Sequence, residues 1–485
     1  MNIELSISKF VTFLPLLIVT ATVIVVMLMI SIRRDHNLTA AVSVIGLNMA
    51  LLAVYFATQQ GVQFLTPLMI VDGYACLYMA IVLISALAAA TLTNAYIEGF
   101  GANREEMYLL LLIATIGGLV LACSRHMASF FIGLEILSVP LYGMVAYTFR
   151  TTTVFSLEGA VKYMISSAAA SAFILFGMAL MYAELGDLSF SGMTLALGKI
   201  VFSDTPILIA GLAMIFIGVA FKLSLVPFHL WTPDVYEGAP APVGAFLATA
   251  SKVAVFAVFV RFLIETGLHQ QPLVENVLVF FSVLSMLVGN ALALMQKNLK
   301  RILGYSSIAH FGYLLIALVA GGSFSQEVIA IYLIAYVLTN IGVLGVIALV
   351  SSPFGKKDAD MLSDYRGLFW RRPYLTAVLT PMMLSLAGVP LTAGFIGKFY
   401  VVMAGVDAQL WWLLGALIIG SALGIYYYLR VIVTLYLPAN APYELDASSD
   451  WGHRIGGVMV ILTTILMVFM GVYPQPIINL IQLIL

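Results

Sequence analysis

The chain has 485 residues, of which 62% are hydrophobic and only 9% charged, with a formal net charge of −1. That balance excludes an ordinary soluble domain and indicates an all-α polytopic membrane protein. Near-neutral charge leaves no electrostatic footprint for nucleic acid.

Hydrophobic runs of about 20 residues read as membrane-crossing helices. In chain order they fall near 11–32, 38–59, 74–97, 106–123, 127–149, 157–184, 206–227, 240–265, 272–295, 300–320, 325–352, 373–404, 409–437 and 452–478, fourteen in all. The first follows a polar stretch and is followed by Arg33 and Arg34, the order of a retained helix rather than a cleaved signal. Cys76 and Cys123 are isolated within or beside spans and read as small core residues before a redox or metal pair. No CxxC, His/Cys cluster or GxGxxG after a strand occurs, so the sequence shows no sign of a redox cofactor of its own.

Charges inside the spans are the informative residues. Glu135 is the only acid in the middle of a span, the fifth. Lys162, in the sixth, lies four residues after Glu158, a spacing that suits either a snorkelling lysine or a working one. Lys222 lies five residues before Pro227 in the seventh; proline should open the helix there, and the freed carbonyls would solvate the ammonium. Pairing of Glu135 with Lys222 would offset part of the burial cost of both, and removing either partner would then cost about 3–5 kcal/mol. Lys252 sits near the midpoint of the eighth span with no sequence-near acid, and Lys398 lies beyond Pro390 in the glycine-rich GVPLTAGFIGKFY of the twelfth. Each lysine at such depth costs roughly 2.5–3.5 kcal/mol, so the four together cost on the order of 10–14 kcal/mol. Simple anchoring requires none of them, which points to moving or sensing charge. His229 and His310 titrate in a useful range, although a satisfied core histidine is the commoner case. The run Tyr426, Tyr427 and Tyr428 reads as packing rather than a proton wire, and Arg430 as a snorkelling side chain.

Basic residues set the orientation. Loops after odd-numbered spans carry thirteen: Arg33, Arg34, Arg104, Arg150, Lys297, Lys300, Arg301, Lys356, Lys357, Arg366, Arg371, Arg372 and Arg454. The opposite side carries four: Lys9, Arg125, Lys199 and Arg261. The first set should be cytoplasmic, with both termini outside.

A repeat of about 165–170 residues is visible. LEILSVPLYG from Leu134 matches LGYSSIAHFG from Leu303, Ser251 and Arg261 match Ser421 and Arg430, and KLSLVPFHLW matches LSLAGVPLTAGF. The unit is five helices, and an odd count inverts the second copy, the arrangement of secondary transporters with paired broken helices. The expected organisation is an N-terminal three-helix segment over 1–100, one five-helix repeat over 106–266, its inverted copy over 272–437, and a C-terminal helix over 452–478.

The stretches FKLSLVPFHLWTPDVYEGAPAPV from Phe221, NLKRILGYSSIAHFGY from Asn298 and MLSLAGVPLTAGFIGKF from Met383 resemble the antiporter-like subunits of respiratory complex I and the related Mrp-type cation/proton antiporters. The resemblance covers essentially the whole chain. It implies a proton-translocating membrane-arm subunit of NADH:quinone oxidoreductase in the bacterial inner membrane. By resemblance, Glu135 and Lys222 are a coupled pair in a first half-channel, Lys252 a central relay and Lys398 the terminal site. Lys162 and His229 match accessory positions near the cytoplasmic mouth. Lys398 departs from those members that carry a glutamate there. NADH, FMN, iron–sulfur clusters and quinone are expected on other subunits, and the implied partners are other antiporter-like and small membrane subunits. The competing readings are an Mrp-type antiporter subunit working outside respiration, and a structural membrane scaffold.

Overall fold

Thirteen helices among the described residues are long and apolar enough to cross a membrane. The computed structural model describes residues 7–98, 103–147, 154–351, 358–438 and 451–485. Arg150, Lys356 and Lys357, used above for orientation, and the end of the predicted fifth span lie outside the described residues.

The chain opens with α1 (Ile7–Ile32), α2 (His36–Thr58) and α3 (Gly73–Tyr96). Asp35 and Asp72 cap the latter two, their carboxylates accepting from the amides of Leu38 and Ala75 at 3.1 and 2.8 Å. Between α2 and α3 a small antiparallel hairpin, β1 (Gln63–Thr66) and β2 (Met69–Val71), pairs Phe64 with Ile70. No sequence expectation included it. Then follow α4 (Glu106–Cys123), α5 (Met127–Val145), α6 (Val154–Leu185), the short α7 (Phe190–Leu197), α8 (Pro206–Leu223) and the short α9 (Trp231–Gly238). Helices α6 and α8 approach backbone to backbone: a Cβ on Gly177 would stand 2.5 Å from the Gly211 carbonyl oxygen.

The predicted eighth span is a composite of α10 (Ala241–Phe246), a wide π turn over Leu247–Ser251 and α11 (Lys252–Glu265). Every residue in its most apolar window is buried, so it forms the centre of the bundle, and the π turn ends directly at Lys252. Such single-turn widenings recur at functional sites. An unbroken apolar run gives no hint of it. Around it lie α12 (Pro272–Leu294), α13 (Leu299–Ala320) and α14 (Gly322–Val350), of which α13 and α14 are nearly as buried. After α15 (Leu368–Arg371) come α16 (Pro373–Ala387), α17 (Ala393–Asp407) and α18 (Trp411–Tyr436).

The predicted twelfth span is thus two short helices, and counting that pair as one crossing restores fourteen. The last predicted span is shorter than expected. Helix α19 (Trp451–Val472) stops before Pro474, and α20 (Gln475–Ile484) follows, because proline opens the latter at its first turn.

Both helix breaks have left-handed caps. Ser224 ends α8 with φ 63° and Gly388 ends α16 with φ 83°. Two further expectations need correcting here. Lys300 and Arg301, taken as loop charges, belong to the first turn of α13, where Lys300 is buried against Asp358 at 2.7 Å and the Ala239 carbonyl. Arg261 is no loop charge either: it is buried on α11 and bonds both oxygens of Asp72 at 2.9 and 2.7 Å. A buried guanidinium is retained only where a carboxylate compensates its desolvation, and Asp72 does so.

Candidate functional site

Besides Lys300, which pairs with Asp358, three lysines are buried among the described residues, with 6% of Lys222, 1% of Lys252 and 8% of Lys398 exposed. None of these three has a carboxylate within 4 Å among the described residues; hydroxyls and carbonyls hold them instead.

Lys222, in the last turn of α8, donates to Ser138 Oγ on α5 and Ser167 Oγ on α6, both at 2.7 Å. Tyr142 OH also donates to Ser167 at 2.7 Å. The sequence expectation that freed carbonyls would hold this ammonium fails for a simple reason: they have other donors. The Phe221 carbonyl accepts from Trp231 Nε1 at 3.0 Å and from the Ser224 amide, and the Ala220 carbonyl accepts from the Leu225 amide at 2.8 Å.

Direct pairing of Glu135 with Lys222 also fails. Glu135 is half-buried on α5 and accepts from Ser171 Oγ at 2.5 Å. Ser138 lies three residues after Glu135, and Ser171 four after Ser167, so each pair shares a helix face. The two serine steps fill the space where acid and lysine were expected to meet.

Lys398 is the lysine that uses carbonyls. From α17 its Nζ reaches back to the end of α16, donating to Leu386 O at 3.1 Å and Ala387 O at 2.9 Å, and Tyr313 lies 5.3 Å from it. The expected room at the glycines is real but filled. A Cβ on Gly388 would stand 2.8 Å from Lys398 Cδ, and one on Gly394 would overlap the Ser385 carbonyl.

Lys252 follows the π turn. Its Nζ donates to Ser307 Oγ at 2.7 Å, with the rings of Phe311 and Tyr236 at 5.3 and 5.8 Å. Tyr336 OH donates to the same serine at 2.8 Å. Two π faces and one neutral acceptor are a weaker cage for an ammonium than a carboxylate would be.

His310 lies between the second and third lysines on α13, whose Ser307 holds Lys252 and whose Tyr313 faces Lys398. Its Nδ1 meets Tyr332 OH at 2.7 Å and its Nε2 meets Tyr428 OH at 3.3 Å, and Tyr428 also bonds Ser306 closely. The tyrosine run therefore divides. Tyr428 and Tyr427 are hydrogen-bonded in the interior, the latter to Asn290 at 2.9 Å, while Tyr426 is exposed. His310, Tyr332, Tyr336, Thr339 and Ser385 line a cavity of about 10 Å³, close to the smallest that admits a water.

The accessory residues differ in kind. Lys162 is exposed and paired at 2.7 Å with both Glu158 and Asp234, so it is not a charge buried in the span. His229 is buried in the first break, and neither ring nitrogen has a hydrogen-bond partner among the described residues. Arg430 does not simply snorkel: it donates to the Leu294 and Gln296 carbonyls at 3.0 and 2.6 Å, closing the end of α12. Sequence reasoning missed Ser138, Ser167, Ser171, Ser307 and Asp234. Two signals were available for four of them: the repeat, which sets Ser138 opposite Ser307, and the helical spacing of Ser138 from Glu135 and of Ser167 from Ser171.

Residues 124–424 match the family described as NADH:quinone oxidoreductase/Mrp antiporter, transmembrane. The chain is 55% identical to NADH-quinone oxidoreductase subunit N of Ectopseudomonas mendocina (strain ymp), over 99% of this chain and 97% of that one. Among solved structures it is similar to a chain of respiratory complex I from Thermus thermophilus with bound aureothin: 30% identity, TM-score 0.82, covering 96% of this chain and 98% of that one. A chain of the Mrp complex from Dietzia sp. DQ12-45-1b shares the fold at TM-score 0.85 and 17% identity, over 98% of this chain and 96% of that one.

Proposed function

Because the chain belongs to the NADH:quinone oxidoreductase/Mrp antiporter transmembrane family, we propose that it is a proton-translocating membrane-arm subunit of an NADH:quinone oxidoreductase. The observation that carries this reading is the set of three lysines buried without a contacting carboxylate, each held by neutral acceptors. An ammonium so placed is expensive, and a structural role would be served as well by a neutral side chain. A lysine that exchanges a proton with each cycle, by contrast, needs an environment that tolerates both of its states.

In this reading a proton is taken up on the cytoplasmic side near Lys162 and passes to Lys222. It crosses through Lys252 and the Ser307–His310 stretch of α13, and leaves past Lys398. Glu135, set beside Lys222 by the serines of α5 and α6, biases that first lysine electrostatically rather than by contact. His229 and Lys162 are accessory groups at the mouth.

The two left-handed breaks, at Ser224 and Gly388, support an arrangement in which 106–266 and 272–437 are inverted copies. That arrangement, the cytoplasmic placement of the basic loops, outward termini and location in the bacterial inner membrane belong to the proposal. So do the partners, other antiporter-like and small membrane subunits, and the placement of NADH, FMN, iron–sulfur and quinone chemistry on those other subunits. Identity of 55% with an NADH-quinone oxidoreductase subunit favours this over an Mrp role, for which the 17% likeness supports the fold alone.

The test is proton pumping by the assembled complex in proteoliposomes. Lys222→Met and Lys398→Met should each lower protons moved per NADH oxidised. Full pumping in both would refute the reading.

A further inference from the structure

Asp234 touches one cation from each half of the chain. Lys162 of α6 donates to its Oδ2 at 2.7 Å, and Arg301 of α13 donates to its Oδ1 at 2.9 Å. Each cation has a second carboxylate of its own: Glu158 for Lys162 and Glu237 for Arg301, both at 2.7 Å. Among the described ion pairs, Asp234 is the carboxylate that these two cations share.

Its helix leads on to the first lysine pocket. Asp234 lies on α9, which resumes after the first break, and Trp231 lies one turn before it. The Trp231 indole bonds the Phe221 carbonyl, next to Lys222, at 3.0 Å, and its ring stacks on Tyr163 at 4.7 Å and 20°. Tyr163 meets Tyr142 edge-on at 5.2 Å, and Tyr142 bonds Ser167, the acceptor of Lys222. Two packed routes therefore run from α9 to the first lysine pocket.

We propose that Asp234 is a positioning residue that ties the second half of the chain, through Arg301, to the pocket of Lys222. Arg301 also holds Glu237 of the same helix, so a shift of α13 against α6 carries α9 with it: Asp234 then releases Lys162, which keeps Glu158, and Trp231 is drawn from the Phe221 carbonyl. The pairs are partly exposed, so each bond is weak enough to break and re-form within a cycle. This inference rests on the reading of Lys222 as a proton site.

The experiment uses the assembled complex in proteoliposomes and reads protons moved per NADH oxidised. Asp234→Asn should lower that ratio about twofold or more, the factor that a coupling change of about 0.5 kcal/mol corresponds to. Asp234→Glu should keep it near the parent value. A merely structural Asp234 would lower turnover and pumping together and leave the ratio unchanged, which would overturn the proposal. Should the Asn variant fail to assemble, Arg301→Gln removes this link together with the Glu237 bond and must lower the ratio too; an unchanged ratio there overturns it equally. Lys222→Met distinguishes the two levels. If it pumps fully, the underlying reading fails; if it does not, while Asp234→Asn and Arg301→Gln both do, only the link fails.

Discussion

Ser167 and Ser171, one turn apart on α6, divide the first charged site between them: Ser167 accepts from Lys222 at 2.7 Å, and Ser171 donates to Glu135 at 2.5 Å. Acid and lysine are thus neighbours through a shared helix face and not through a shared bond. Each can change its proton without breaking a direct ion pair, while still feeling the other's charge.

Removing the hydroxyls should separate the two roles. Ser167→Ala takes one charge-assisted hydrogen bond from Lys222, worth about 1.5–3 kcal/mol. Proteoliposome pumping should fall several-fold, and further in Ser138→Ala/Ser167→Ala. Ser171→Ala, which touches Glu135 alone, should cost less than either. Equal effects from Ser167 and Ser171 would speak against this division.

Glu135→Gln should be mild for stability. A severed buried pair would cost about 3–5 kcal/mol, but among the described residues Glu135 has no cation within 4 Å, and it is only half-buried. The thermal midpoint of the purified complex should stay within a few degrees of the parent, while pumping declines. A collapse in assembly would indicate a direct contact in the working enzyme.

Much of this was legible in the sequence, and the reasons for the remainder are physical. Charge and proline are rare in apolar spans, so Lys222, Lys252, Lys398 and both breaks stand out from any reading of hydropathy. Serines and tyrosines do not, because their hydroxyls are common in membrane helices and readily satisfied by their own backbone. Ser307 is set apart from Ser306 in sequence only by the repeat, which places it opposite Ser138, and only the former holds Lys252. The π turn before Lys252 is equally silent, since it changes hydrogen-bond register without changing composition. Which carbonyls a break releases depends on what else reaches them: Trp231 covers the Phe221 carbonyl, while those of Leu386 and Ala387 remain for Lys398.

Gly388→Ala should disable the second break. The residue has φ 83°, and its added Cβ would meet Lys398 Cδ at 2.8 Å. Left-handed strain alone is about 1–3 kcal/mol, and the lysine must also move off its two carbonyls. The thermal midpoint and the pumping ratio should both fall; normal pumping would mean that Lys398 does not work from this seat.

Tyr428→Phe and Tyr426→Phe form a matched pair of substitutions two residues apart. The first removes a buried hydroxyl bonded to Ser306 and His310; the second changes an exposed ring. Pumping should fall in the first alone. An intact Tyr428→Phe would remove the tyrosine from the route around His310.

Proton exchange by the buried lysines is best tested at Lys252, the deepest of them at 1% exposure, whose one hydrogen-bond acceptor among the described residues is Ser307. Protons moved per NADH oxidised should be measured for Lys252→Met, which cannot be charged, and for Lys252→Arg, whose guanidinium does not give up its proton in proteins. Both variants should lower the ratio, since transfer requires a group that holds a proton and then releases it. A parental ratio in either assembled variant would contradict it.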